Sequence, residues 1–167
     1  MKKIAIATIL SAAFITPVFA ADSYIGLSAG QNKMDVSGAK ASTAMGIFGG
    51  YSFNEYIAGE LAYSDFGSAD TDFAGISLKG HAASLSAVGS MPLGRDYALF
   101  AKLGYASTSV EATGGSSETK EDITYGIGAQ YNAARNIGIR LGYDNYRVGK
   151  DNTKDSGLMS IAALFKF

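Results

Sequence analysis

Tyr97-Ala98-Leu99-Phe100-Ala101-Lys102-Leu103-Gly104-Tyr105 sets Tyr97, Leu99, Ala101, Leu103 and Tyr105 at every second position, with Lys102 on the intervening face. A period of two belongs to a pleated strand, whose successive side chains leave opposite faces. The period recurs in Ile25, Leu27, Ala29; in Met45, Ile47, Tyr51, Phe53; in Ile57, Leu61, Tyr63; and in Leu85, Ala87, Met91. It returns in Ile123, Tyr125, Ile127, Ala129, Tyr131, then in Ile137, Ile139, Leu141, Tyr143, and last in Ile161, Ala163, Phe165, Phe167. Eight strands result. Their other face carries Gly26, Ser28, Glu60, Ser64, Ser84, Ser86, Lys102, Gly126, Gly128, Gln130, Arg140, Asp144 and Lys166.

Two folds share this alternation and differ in which way the apolar face points. A soluble sandwich or lipocalin-like barrel packs it inward, whereas a transmembrane barrel turns it to lipid. Connection lengths break the tie. Three are short, at Asn54-Glu55, around Pro92 to Asp96, and at Asn132 to Asn136. Four are long and polar: Gln31 to Ser42, Phe66 to Phe73, Ser107 to Glu121, and Gly149 to Ser156. Strict alternation of short and long fits periplasmic turns on one rim and surface loops on the other, with both termini on the short-turn side. Aromatics agree. Tyr51, Phe53, Tyr56, Tyr97, Tyr131, Phe165 and Phe167 lie beside the short turns, and Tyr63, Tyr105, Tyr125 and Tyr143 lie most of a strand length away. Two such belts are expected where amphipathic rings occupy both membrane interfaces.

The start of the chain fits export. Lys2 and Lys3, an apolar run from Ile4 to Val18 and the small-residue signature Val18-Phe19-Ala20 read as a secretory signal peptide cleaved before Ala21. The run is shorter than the ~20 apolar residues of a spanning helix. Removing it leaves 12 basic side chains, the 14 of the whole chain less Lys2 and Lys3, against 15 acidic ones. That balance argues against a nucleic-acid partner with a broad basic interface. The absence of cysteine rules out a disulfide scaffold, thiol catalysis and thiolate-bound metal. The expectation is an all-β chain: residues 1–20 a signal peptide, residues 21–167 an eight-stranded antiparallel up-and-down transmembrane β-barrel in the outer membrane. No cofactor is implied.

The last strand, Met159 to Phe167, is apolar on alternate positions and ends the chain on an aromatic ring. It resembles the C-terminal signal by which bacterial outer-membrane barrels are recognised and inserted, so Phe167 is the expected assembly signal and the outer-membrane assembly machinery a partner. Gly46 to Glu60 is similar to the second hairpin of the OmpA-like transmembrane barrel family, which includes small opacity-type surface proteins. Tyr24 to Gly30 resembles that family's first strand and Asn136 to Tyr143 its seventh. The resemblance implies a Gram-negative outer-membrane barrel with roles in envelope integrity, adhesion and host contact. Larger members carry a peptidoglycan-gripping C-terminal domain; this chain stops at the barrel, so none is implied. The family's best-studied lumen holds two ion pairs that can exchange partners. Its Glu and Arg match Glu60 and Arg140, but the Lys and Glu of the second pair fall on Val88 and Gln130, so a gating switch does not carry over.

Glu60 and Arg140 share inward parity, and an eight-stranded barrel is only wide enough for side chains to fill. They can meet across it, and a polar network of Glu60, Arg140, Lys102, Gln130 and Asp144 is expected to plug the lumen. No catalytic residue or metal ligand is assigned. His81, the only histidine, falls on the outward face with Ala83 and Leu85, while Ser84 and Ser86 face inward, so a serine–histidine pair does not form there. Asp65, Asp70, Asp72, Glu118, Glu121 and Asp122 lie in or near the second and third loops, where solvation is the simpler reading and divalent cations bridging lipopolysaccharide the sharper one.

The reading that unites these features is a structural and surface-interaction protein, held by outer-membrane lipids and lipopolysaccharide and meeting a host or envelope protein through four loops. A narrow porin-like channel is the alternative, since Gly26, Gly30, Gly126 and Gly128 thin the lumen. A lipid-modifying enzyme and a soluble lipocalin-like binder rank lower.

Overall fold

The computed structural model describes residues 22–34, 42–70, 77–112, 117–147 and 155–167. The expected signal peptide lies outside them. Eight strands follow in order: β1 (Ser23–Met34), β2 (Ser42–Ser52), β3 (Ile57–Asp70), β4 (Ser77–Leu93), β5 (Tyr97–Ala112), β6 (Ser117–Asn132), β7 (Ile137–Arg147) and β8 (Asp155–Lys166). Each pairs antiparallel with the next, and β8 returns to β1, closing an up-and-down barrel. Closure removes the sheet edges that an open sheet would leave unpaired. Beyond the last strand the Phe167 N–H donates to the Ser23 carbonyl at 2.9 Å, joining the two ends of the described chain.

Side-chain chemistry sets the short turns. The Asn54 side-chain oxygen Oδ1 accepts from the N–H groups of Tyr56 and Ile57, both at 2.8 Å, so an Asx turn joins β2 to β3. Gly94 holds φ at 78°, the left-handed region that a bulkier residue resists, between β4 and β5. In β3 the register slips between Asp65 and Ser68, where Gly67 takes φ 69° and donates its N–H to the Asp65 carboxylate at 2.8 Å. A glycine in this region is the usual hinge of a β-bulge.

The apolar faces point outward. Leu103 and Ile127 are 63 % and 64 % exposed, while Glu60 is 3 % exposed. In water such a surface would be an aggregation liability; against acyl chains it is the stable arrangement. The register places Ala101 opposite Ile127, midway between the rings of Tyr97 and Tyr105. Tyr63, Tyr105, Tyr125 and Tyr143 are exposed on the long-connection side, and Phe53, Tyr56, Tyr97, Tyr131, Phe165 and Phe167 on the short-turn side.

The strands run further than the alternation indicates. Ser107 to Glu121, expected as one long loop, is strand at both ends, since β5 continues to Ala112 and β6 begins at Ser117. Gln31 to Met34 belong to β1, Phe66 to Asp70 to β3, and β4 begins at Ser77. On the short-turn side Pro92 lies within β4 and Asn132 within β6. The reason is physical. Above the membrane the outward face of a strand meets water, so the outward apolar alternation stops there while the hydrogen-bonded ladder continues. Strands β3 to β6, with 14, 17, 16 and 16 residues, therefore outreach β7, β8, β1 and β2, with 11, 12, 12 and 11.

Candidate functional site

The lumen is built in layers of inward-facing side chains. Nearest the short turns is an apolar layer of Tyr24, Phe48, Ala58, Val88, Phe100, Ala162 and Leu164. Nearest the long connections is a second, of Ala44, Phe66, Ala82, Ala106, Tyr146 and Leu158, in which the Phe66 and Tyr146 rings meet edge to face at 5.4 Å. Between them sit the ions.

Glu60 and Arg140 come from β3 and β7, strands on opposite sides of the barrel, and Arg140 Nη1 donates to Glu60 Oε2 at 2.6 Å. Lys102 from β5 stands 2.8 Å from Asp144 and 3.5 Å from Glu60. Gln130 accepts from Arg140 Nε at 3.3 Å and Nη2 at 3.1 Å. All five residues of the expected polar network are thus brought together. Two cations face two carboxylates, so the buried layer is electrically balanced, the condition under which ions can leave water. A cavity of about 30 Å³ remains among Ser28, Glu60, Lys102 and Asp144, room for a water with polar partners on several sides.

Three rings escaped the sequence reading. Tyr24 donates its hydroxyl to Glu60 Oε2 at 2.8 Å. The Arg140 guanidinium lies 5.4 Å from the Tyr24 ring centre, 5.2 Å from Phe48 and 4.7 Å from Phe100. A planar cation between ring faces is stabilised by their quadrupoles. The signal was present in parity: Tyr24, Phe48 and Phe100 adjoin the outward Ile25, Ile47 and Leu99, and so point inward. Two of the four glycines that seemed to thin the lumen, Gly26 and Gly128, accommodate these rings, while Gly126 makes room for the Asp144 carboxylate. A Cβ at Gly26 would land on the Phe48 ring, and one at Gly128 on the Phe100 ring.

The aromatics of the short-turn rim pair among themselves. Tyr51, half buried, meets Phe53 edge to face at 5.4 Å, Tyr97 lies 5.0 Å from Tyr131, and Phe165 meets Phe167 edge to face at 5.3 Å. Tyr56 stands exposed in its turn, and the Glu55 carboxylate, which its hydroxyl engages, holds that phenol above the usual range.

His81 packs against Tyr63, ring centres 6.1 Å apart, on the outer face. Its cross-strand neighbours are Asp65 and Ser109, not the inward Ser84 and Ser86. Aspartate, histidine and serine thus occupy one outward row, a juxtaposition that chain order concealed. They are not joined as a relay: Asp65 serves the Gly67 N–H, and the Ser109 hydroxyl lies 3.0 Å from that of Thr119. Among the acids near the loops, Asp122 pairs with Lys120 at 3.4 Å and Glu121 accepts from the Tyr105 hydroxyl at 3.5 Å. Asp72 and the side chains of Asp70 and Glu118 lie outside the described residues. Among the described residues no three His, Cys, Asp or Glu side chains converge to hold a metal.

Comparison with known proteins bears on the whole chain. The model of the family described as outer membrane protein beta-barrel domain matches residues 6–164. Neisserial surface protein A has a similar structure, with TM-score 0.66 and 24% identity over 87% of this chain and 97% of that one. Ail, the attachment invasion locus protein of Yersinia pestis, aligns at 0.60 with 19% identity, over 87% and 97% of the two chains. The N-terminal β-barrel domain of Pseudomonas aeruginosa OprF aligns at 0.60 with 16% identity, over 86% and 97%. At these identities the likeness speaks to fold. No curated protein sequence matches significantly. An outward apolar girdle between aromatic belts, a closed ring of eight strands and a family match across nearly the whole length converge: the chain belongs to the outer membrane protein beta-barrel domain family and is a small barrel of the Gram-negative outer membrane.

Proposed function

We propose that this protein is a structural and surface-interaction barrel: it braces the outer membrane, holds lipids and lipopolysaccharide on its girdle, and offers its long connections to a host or envelope partner. The observation that carries the reading is the filled lumen, where a neutral four-ion layer lies between two apolar layers and leaves a cavity of about 30 Å³. Side chains that fill a barrel stabilise it and obstruct transport. The tall wall of β3 to β6 on the long-connection side carries the strands beyond the tyrosine belt and so supports a role in contact. Neisserial surface protein A is by name a surface protein, Ail carries attachment and invasion in its name, and one Ail structure is a complex with a heparin analogue, sucrose octasulfate. Contact through loops on an inert barrel is consistent with that company.

Planar-bilayer recording tests the filled lumen. The protein is expected to give no steady conductance steps, and the double substitution Phe48→Ala with Phe100→Ala to introduce them. Steps in the unsubstituted protein that vanish in Gly128→Leu would establish the channel instead. For the loops, cell-binding assays with each long connection replaced in turn are expected to lose adhesion in at least one replacement and retain folding in all; undiminished binding in all four removes the surface role. The chain is not assigned an enzymatic role, and His81→Ala is expected to leave envelope acyl-chain composition unchanged. The export signal at residues 1–20 is read as cleaved, so the membrane-inserted chain should begin at Ala21 by N-terminal sequencing.

A further inference from the structure

The short-turn mouth of the barrel opens into a cup of about 490 Å³. Its depth is lined by Ala58, Val88, Ala98 and Leu164, and one wall carries a continuous polar chain. Lys166 Nζ donates to Asn132 Oδ1 at 2.8 Å, and Gln130 Nε2 donates to the same oxygen at 2.8 Å. Gln130 in turn accepts from Arg140. Two cationic side chains therefore stand on β7 and β8, linked through neutral amides of β6. Arg140 is answered from behind by Glu60. Lys166 has no carboxylate within ion-pair distance among the described residues, although it is half buried. The other charges of the cup, Arg95, Asp22 and Glu55, are all exposed at the rim, where water and salt screen them, so Lys166 is the charge that acts inside it.

The cup thus has an apolar floor under largely polar walls, and a hollow of a few hundred Å³ that joins apolar surface to convergent polar groups can hold a small molecule in a fixed orientation. We propose that this cup binds a small organic anion, a carboxylate on a compact apolar body, from the periplasmic side. The carboxylate accepts from Lys166 Nζ, displacing or sharing Asn132, and the body lies against Val88, Ala58 and Leu164. Behind that floor the Phe48 and Phe100 rings and the ion layer fill the lumen, so the ligand is held and not passed. A filled barrel thereby acquires a receptor face towards the periplasm, separate from the long connections.

The test uses the mature chain in phosphatidylcholine nanodiscs, with 4-fluorobenzoate as probe followed by fluorine NMR and empty nanodiscs subtracted. Binding is expected to saturate, to weaken with added salt, and to exceed that of neutral 4-fluorobenzamide about tenfold or more. Lys166→Gln should abolish the difference between the two probes, Lys166→Arg should keep it, and Arg135→Gln, on a short turn outside the cup, should keep it too. Ser90→Phe fills the cup from β4 without touching Lys166 and should remove binding of both probes, which keeps the proposal open to refutation should Lys166→Gln fail to fold. Equal binding of benzoate and benzamide, a signal that does not saturate, or undiminished binding in Ser90→Phe would overturn it.

Discussion

Arg140 and Glu60 lie 80 residues apart in the chain and 2.6 Å apart in the lumen, each reaching inward from opposite sides of the barrel. Around them Tyr24 donates to the same carboxylate oxygen, Lys102 approaches the other one, and three rings surround the guanidinium. Removing either partner strands a charge in a compartment with little water.

Arg140→Ala is therefore expected to destabilise the folded barrel by about 3 to 5 kcal/mol, the usual cost of breaking a buried pair from one side. Heat-modifiable mobility on a gel reads this directly as a lower temperature of conversion to the unfolded band. The double substitution Glu60→Gln with Arg140→Met should recover part of the loss, because no uncompensated charge remains. An unchanged melting profile for Arg140→Ala would reject the pairing.

Gly128 faces the Phe100 ring with no space for a side chain, and a Cβ there would also meet the Leu141 carbonyl. Gly128→Leu should reduce folded yield and cost about 1 to 3 kcal/mol through overpacking. Refolding into detergent with a urea titration measures it. Gly89 makes the comparison, since a Cβ there meets nothing within 4 Å, and Gly89→Ala should be close to neutral.

Ile127 lies opposite Ala101, halfway between the two tyrosine belts, and is 64 % exposed. A charge at that depth must be carried into hydrocarbon. Ile127→Arg should destabilise by about 2 to 4 kcal/mol in bilayers, and Ser107→Arg, on the same outer face beyond the belt, by about 1 kcal/mol or less. Equal effects at both positions would mean that the girdle does not meet lipid.

Phe167 closes the chain with its ring against Phe165 and its N–H on Ser23. Deleting it is expected to slow insertion by the assembly machinery in a reconstituted reaction while leaving spontaneous folding into detergent nearly unaffected. A comparable loss in detergent would assign the residue to barrel stability instead of recognition.

Glu60, Lys102, Gln130, Arg140 and Asp144 were legible as inward-facing because parity is counted along a single strand, where each residue turns its side chain to the opposite face from the last. The same counting placed Leu103 and Ile127 outside, and connection lengths ordered the rims. Those are properties of neighbours in the chain, and the sequence by itself determined them, together with the number of strands and the membrane they suit.

Partners were another matter. That Lys102 settles nearer Asp144 than Glu60, that Arg140 is enclosed by Tyr24, Phe48 and Phe100, and that His81 shares a row with Asp65 and Ser109 all depend on the stagger between strands and on the closure of β8 upon β1. Strand length above the membrane was equally hidden, because Ser107 and Ser109 continue the outward row of β5 with polar side chains and the ladder there leaves no apolar trace. Only the tertiary structure decided these, since a two-residue period records which face a side chain takes and carries no information about which strand it will meet across the lumen.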